Sequence, residues 1–312
     1  MSLSLWFDGV PVLGKLPPIQ AAAKLREIGD KETAEVIESS EIDVVRSSVI
    51  GGWLESLWPS NEKPWRHTSH TFGYLGPSAP GGNFIPIHHA GNIVPDITLR
   101  NKRIRITLDR LRVGAYPGGG THRVLFDFYA QNQVPTNVEH LHFAATYRVR
   151  EGEQAAIIGY PLFSGLNVGT EGVAFKCFTV NVKNDEDEAF LDFLESDVFK
   201  AGLKLVSTAQ PAIGPLSQMA LGLTKTIAGR HKNVPVQDFY MGLDFSTIPT
   251  RARLAEGAYL AVQIPESLET TWNWTDWVFD PSTGQVVNRA EGKRLIPFNY
   301  LVFSVSRYTE GR

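Results

Sequence analysis

Cysteine is almost absent: Cys177 is the single one among 312 residues. That excludes an intramolecular disulfide and any cysteine-built metal site, and it fits a reducing compartment. Long apolar runs are missing as well. No stretch of about 18 apolar residues occurs, so no membrane-spanning helix is expected. The opening Met-Ser-Leu-Ser-Leu-Trp-Phe-Asp carries neither a basic segment nor an apolar core, so it does not read as a secretory signal. Charge of one sign is not in excess. A net charge of −3 offers no field toward a polyanion, and a nucleic acid is not an expected partner. Motifs of nucleophilic and phosphate chemistry are missing too: there is no G-x-S-x-G elbow and no G-x-x-x-x-G-K-[ST] loop. With 43% hydrophobic and 20% charged residues, the expectation is an ordinary folded, soluble, cytoplasmic protein.

What the chain does have is alternation. Ile104, Ile106 and Leu108 alternate with Arg103, Arg105 and Thr107. Val124, Phe126 and Phe128 follow, then Leu141, Phe143, Ala145 and Tyr147, then Val173, Phe175 and Cys177. A period of two puts each set on one face of a strand. Short strands in succession with no helix between them predict antiparallel sheets packed face to face. The fold class read from this is α+β, mainly β: an antiparallel β-sandwich over residues 95–312. At the level of pattern it resembles C2-like and jelly-roll-like proteins, a resemblance that implies no function. The loop Tyr116–Thr121, with three glycines, reads as a hairpin connection, and a second hairpin is expected to turn on Asp280–Gly284.

Two further regions are set off from the sandwich. Residues 1–58 read as a helical N-terminal arm, with Pro17 and Pro18 at a first turn and Asp30 as an N-cap. Residues 59–94 read as an irregular connection rich in proline and glycine, which is functional or a linker at this length. A helical insertion is expected at 185–232. It opens on Asn184 and the acids Asp185–Glu188, whose charge suits a helix N-terminus better than a calcium site. Its second helix, 215–230, carries an apolar stripe and ends on Arg230, His231 and Lys232.

Three functional readings follow. The first is a non-enzymatic interaction or scaffold protein. It would bind a protein partner through the arm and the irregular segment, with Trp53, Trp58, Trp65, Phe72 and Tyr74 as contact residues. The second is a membrane- or lipid-binding sandwich using helix 215–230, with Arg103, Arg105, Lys225, Arg230 and Lys232 as anion or lipid ligands. For Arg103 and Arg105 the competing reading is protection of an edge strand. The third is a metal-dependent enzyme. His140 and His142 share a strand face, His122 opens the preceding strand, and three imidazoles would suit a transition metal. No other cofactor is expected. Cys177, mid-strand, reads as a small buried hydrophobe. Trp272, Trp274 and Trp277, if exposed, suit carbohydrate or partner recognition.

Overall fold

The computed structural model describes residues 9–47, 63–77, 84–134, 137–205, 213–248, 251–292 and 294–310; Trp53 and Trp58 lie outside them. The described helices are α1 (Pro18–Glu27), α2 (Lys31–Ser47), α3 (Glu188–Leu194), α4 (Asp197–Lys200) and α5 (Ile213–Gly229). The strands begin with β1 (Ser69–Leu75), β2 (Ile85–Pro86), β3 (His88–His89), β4 (Arg103–Arg112) and β5 (Thr121–Val134). They continue with β6 (Asn137–Arg150), β7 (Tyr160–Asn167), β8 (Gly172–Val182), β9 (Leu203–Lys204) and β10 (Val234–Asp244). The last are β11 (Ala252–Arg253), β12 (Gly257–Ile264), β13 (Trp277–Asp280), β14 (Gln285–Asn288) and β15 (Tyr300–Arg307).

These strands form three sheets. A seven-stranded sheet runs β3-β1-β12-β15-β4-β7-β9, a five-stranded sheet runs β11-β10-β8-β5-β6, and a three-stranded sheet runs β14-β13-β2. Pairing is antiparallel except for β7 with β9 and β10 with β11. The fold is mainly β, with antiparallel sheets packed together as a sandwich and no closed barrel.

The alternation explains the packing. Ile104, Ile106 and Leu108 are buried, facing the five-stranded sheet. Phe128 of β5 meets Phe163 of β7 at 6.4 Å and Phe303 of β15 at 5.6 Å between ring centroids, so aromatic side chains from both sheets meet in the middle. Each such ring contributes about 2–3 kcal/mol by leaving water. The run Ala258–Ile264 is apolar but for Gln263, because both of its faces are covered. Tyr259 and Ala261 join the sandwich core, whereas Leu260, Val262 and Ile264 join a second core roofed by the three-stranded sheet and Trp274.

A buried polar cross-link ties these layers. The Asn299 side chain accepts the N–H groups of Gly114 (2.8 Å) and Ala115 (3.2 Å) and donates to Gln263 Oε1 at 2.8 Å. Gln263 in turn donates to the carbonyls of His67 (2.6 Å) and Val236 (3.2 Å). One amide pair therefore holds β10, β12 and three loop segments.

The described part of the arm docks on the same body. Ala22, Leu25, Ala34 and Ile37 are buried within the sandwich core, and Asp30 caps α2 while accepting the Gly118 N–H at 3.1 Å. The hairpin on Asp280–Gly284 forms as β13 and β14.

Three expectations change. Tyr116–Thr121 is not a hairpin but a crossing from β4 in one sheet to β5 in the other; its glycines still take positive φ. β4 is not an edge, since β15 and β7 flank it. Residues 69–75, within the segment expected to be irregular, form β1 between β12 and β3.

Candidate functional site

The three histidines do not converge. His142 stands opposite Tyr129 and His140 opposite Gln131, on the outer face of the five-stranded sheet. His122 belongs to the opposite parity of β5, so it points into the sandwich. It also lies seven residues from Tyr129, about 24 Å along the strand. The expected metal set of His122, His140 and His142 is therefore not assembled. Among the described residues, no group of three or more His, Cys, Asp or Glu is placed to hold a metal ion.

Each histidine has its own surroundings. His122 is buried, and its pKa is driven down to about 4 by desolvation, with the Lys183 charge adding to the effect. His140 bonds through Nδ1 to the Tyr129 hydroxyl and stacks on that ring. His142 Nδ1 lies 3.3 Å from Asp127 Oδ1, both side chains without solvent exposure. Ser217 sits beside this pair, but its hydroxyl meets the backbone of His142 rather than the imidazole. A serine, a histidine and an aspartate thus come together without the hydroxyl-to-imidazole contact that nucleophilic catalysis needs. Cys177 is fully buried, and desolvation reinforced by Asp127 and Asp238 pushes its thiol well above its ordinary range.

The basic residues are mostly consumed by the fold. Arg103 donates to the carbonyls of Gly165 and Leu205, pairs with Glu310 at 2.6 Å and lies over the Tyr308 ring. Arg105 faces the same ring. Arg230 pairs with the buried carboxylate of Asp187 at 3.0 Å and stacks on Phe190. Lys225 is half-buried and Lys232 exposed. Helix α5 turns Ser217, Ala220, Leu221, Thr224 and Ile227 inward, chiefly against β6. No helix of the described residues is long and apolar enough to cross a membrane. Of the aromatic contact residues, Trp65 and Tyr74 are buried and unavailable to a partner, and Phe72 is half-buried against Phe239.

An open trough lies on the five-stranded sheet instead. Register pairs Gly242 with Ala174 and Asp244 with Gly172; Gly242, Ala174 and Asp244 share the outward face with Tyr240, and the buried Gly172 lines the same cleft. Gln131 and Gln133 stand on the same face of β5. The result is a cleft of about 470 Å³ with a floor of small residues. Tyr240, 59% exposed, and the two glutamines wall it, and the Asp244–Arg251 pair, 3.1 Å apart, closes one end. The two floor glycines differ in cause. Gly172 has φ +131°, and a Cβ there would fall 2.1 Å from the Leu243 carbonyl oxygen, so the backbone demands it. A Cβ on Gly242 would meet nothing closer than Tyr240 Cε1 at 3.9 Å. Nothing steric among the described residues demands that glycine; its effect is to keep the floor low.

Phe72, Val173, Met241 and Leu243 give the cleft apolar lining. Arg253, next to the lining residue Ala252, donates to the carbonyls of Ile93 (2.6 Å) and Thr247 (3.2 Å). This brings together the segments that carry Val94, 84% exposed, and Ile248. Sequence reasoning found only Phe72 of the trough, because the lining residues come from β1, β5, β8, β10 and β11. The available signal was a glycine inside the strand pattern Phe-Tyr-Met-Gly-Leu-Asp.

Compared with known proteins, the chain matches no family model, no curated protein and no solved structure.

Proposed function

We propose that this chain is a non-enzymatic binding protein that holds an extended segment of a protein partner in the trough on its five-stranded sheet. The observation that carries this reading is Gly242: a position free to bear a side chain is left bare, and a shallow channel results. A peptide backbone fits a floor of Gly172, Ala174 and Gly242. The amides of Gln131 and Gln133 match peptide N–H and C=O groups, since each offers both donors and an acceptor. Tyr240 supplies a large, exposed, amphipathic ring of the kind that anchors interfaces, and Phe72 and Val173 add apolar lining for the partner's side chains. The contact surface thus moves from the arm to the sheet, with Phe72, which lines the trough, representing the 59–94 segment.

The test is to pan a displayed peptide library on the folded protein and on its Gly242→Phe variant, which fills the channel. Peptides enriched by the wild type and lost with the variant are the expected result. No enrichment, or equal enrichment on both, overturns the proposal.

A further inference from the structure

The three-stranded sheet carries a second, separate cleft. Trp272 and Trp277 lie nearly parallel, 8° apart in plane with centroids 5.9 Å apart. Trp274 stands edge-on to Trp272 at 5.4 Å and is buried at 4% exposure. Its far edge lies where a Cβ on Gly73 of β1 would sit, so it is wedged against that strand and Ile87. The indole platform is therefore held from beneath by a locked ring. Beside it opens a cleft of about 240 Å³ lined by Trp272, Trp277, Asn273, Asp276, Asn288 and Arg294, among others.

The polar groups there are positioned by the local chain. Asn273 accepts from Thr275 N (3.1 Å) and Thr275 Oγ1 (2.8 Å), and Asn288 accepts from Ala290 N and Glu291 N. Arg294 pairs with Glu291 at 3.1 Å. Asp276 has more capacity: its Oδ1 accepts a long 3.4 Å bond from Asn273. Trp272 Nε1 is screened from solvent and has no hydrogen-bond partner among the described residues, an unmet donor on a residue that lines the cleft.

We propose that this cleft is a binding site for one neutral sugar ring of a saccharide. The chemistry is complementary on both sides. The C–H face of a pyranose is apolar and flat and lies on an indole face such as the parallel Trp272–Trp277 pair presents. Its hydroxyls donate to a carboxylate such as Asp276, accept from Arg294, and do both with the amides. The free volume is of monosaccharide size. A quaternary ammonium fits less well. It needs several rings facing one point, whereas here the perpendicular ring is buried and Arg294 places a like charge at the rim.

The experiment is a titration of intrinsic tryptophan fluorescence and of ¹H–¹⁵N indole NMR signals. The ligands are the methyl glycosides of glucose, galactose and mannose, and N-acetylglucosamine, with choline chloride in parallel. A single ring subsite is expected to saturate in the millimolar range with at least one sugar, with the Trp272 indole N–H signal moving. Asp276→Ala, on an exposed side chain, is expected to weaken binding at least tenfold while thermal unfolding is unchanged; Trp277→Ala is expected to abolish it. No saturation with any sugar up to about 50 mM, an undiminished response in Asp276→Ala, or a response to choline alone overturns the proposal. Gly242→Phe is expected to leave sugar binding intact, so failure here and failure of the trough reading are separable.

Discussion

The hydroxyl of Ser217 accepts the backbone N–H of His142 at 2.5 Å and lies 3.3 Å from the carbonyl oxygen of the same residue. His142 belongs to β6, the last strand of its sheet, so these groups are on the side where a further strand would pair. Helix α5 thus occupies an exposed ladder position that would otherwise recruit another chain. Ser217→Ala removes the partner and leaves a buried N–H unmet. A loss of about 1–3 kcal/mol in urea unfolding is expected, together with concentration-dependent association by light scattering.

Asn299 makes a comparable but wider connection. It joins loop 113–115 to Gln263, which reaches His67 and Val236. Replacing it with alanine strands two buried N–H groups and the Gln263 carbonyl. The expected cost exceeds about 3 kcal/mol, read as a shifted denaturation midpoint. Asn299→Asp keeps the acceptor but loses the donor to Gln263, and is expected to lose part of that stability at neutral pH.

Acid sensitivity follows from three desolvated imidazoles. Desolvation holds His67, His70 and His122 down to about 4, from an ordinary 6.5. The unfolded chain therefore takes up protons at a higher pH than the folded one. Stability is full above about pH 6.5, falls as pH drops toward 4, and levels below it; every tenfold difference in proton affinity between the two states is worth about 1.4 kcal/mol. Urea midpoints at pH 7.5 and pH 5 should show the drop, and His122→Leu should reduce it. An unchanged pH slope in that variant would contradict this assignment.

The two trough glycines should respond in opposite ways to the same substitution. Gly172→Ala meets a carbonyl oxygen at a positive φ and is expected to destabilise by more than about 2 kcal/mol. Gly242→Ala meets only ordinary contacts and is expected to be neutral or stabilising by up to about 1 kcal/mol. Thermal unfolding of the two variants side by side decides this.

The sandwich was legible because alternation is local: Ile104, Ile106, Leu108, Phe126 and Phe128 can each be assigned a face from their neighbours alone, and all are buried. β1 was not, although His70, Phe72 and Tyr74 do alternate. Seven residues between proline- and glycine-rich flanks give too short a window. Register was beyond reach for a different reason. Whether Gly242 faces Ala174, or His122 faces away from His142, depends on which strands pair, and that is decided by contacts far apart in the chain. The arginines misled because a basic alternation looks the same on an edge strand as on an inner strand whose outer face is covered by Tyr308 and Glu310.

β1 also sets a timetable for synthesis. Ser69 pairs with Ile264 and Leu75 with Ala258, so the strand's main partner is translated about 190 residues later. At about 5–20 residues per second, Phe72, Tyr74 and Leu75 wait on the order of 10–40 s on the ribosome with two residues of β3 as their other pairing. The chain spends that interval with an open strand, and its yield in a cell will depend on what shields residues 69–75 until the last quarter of the protein emerges.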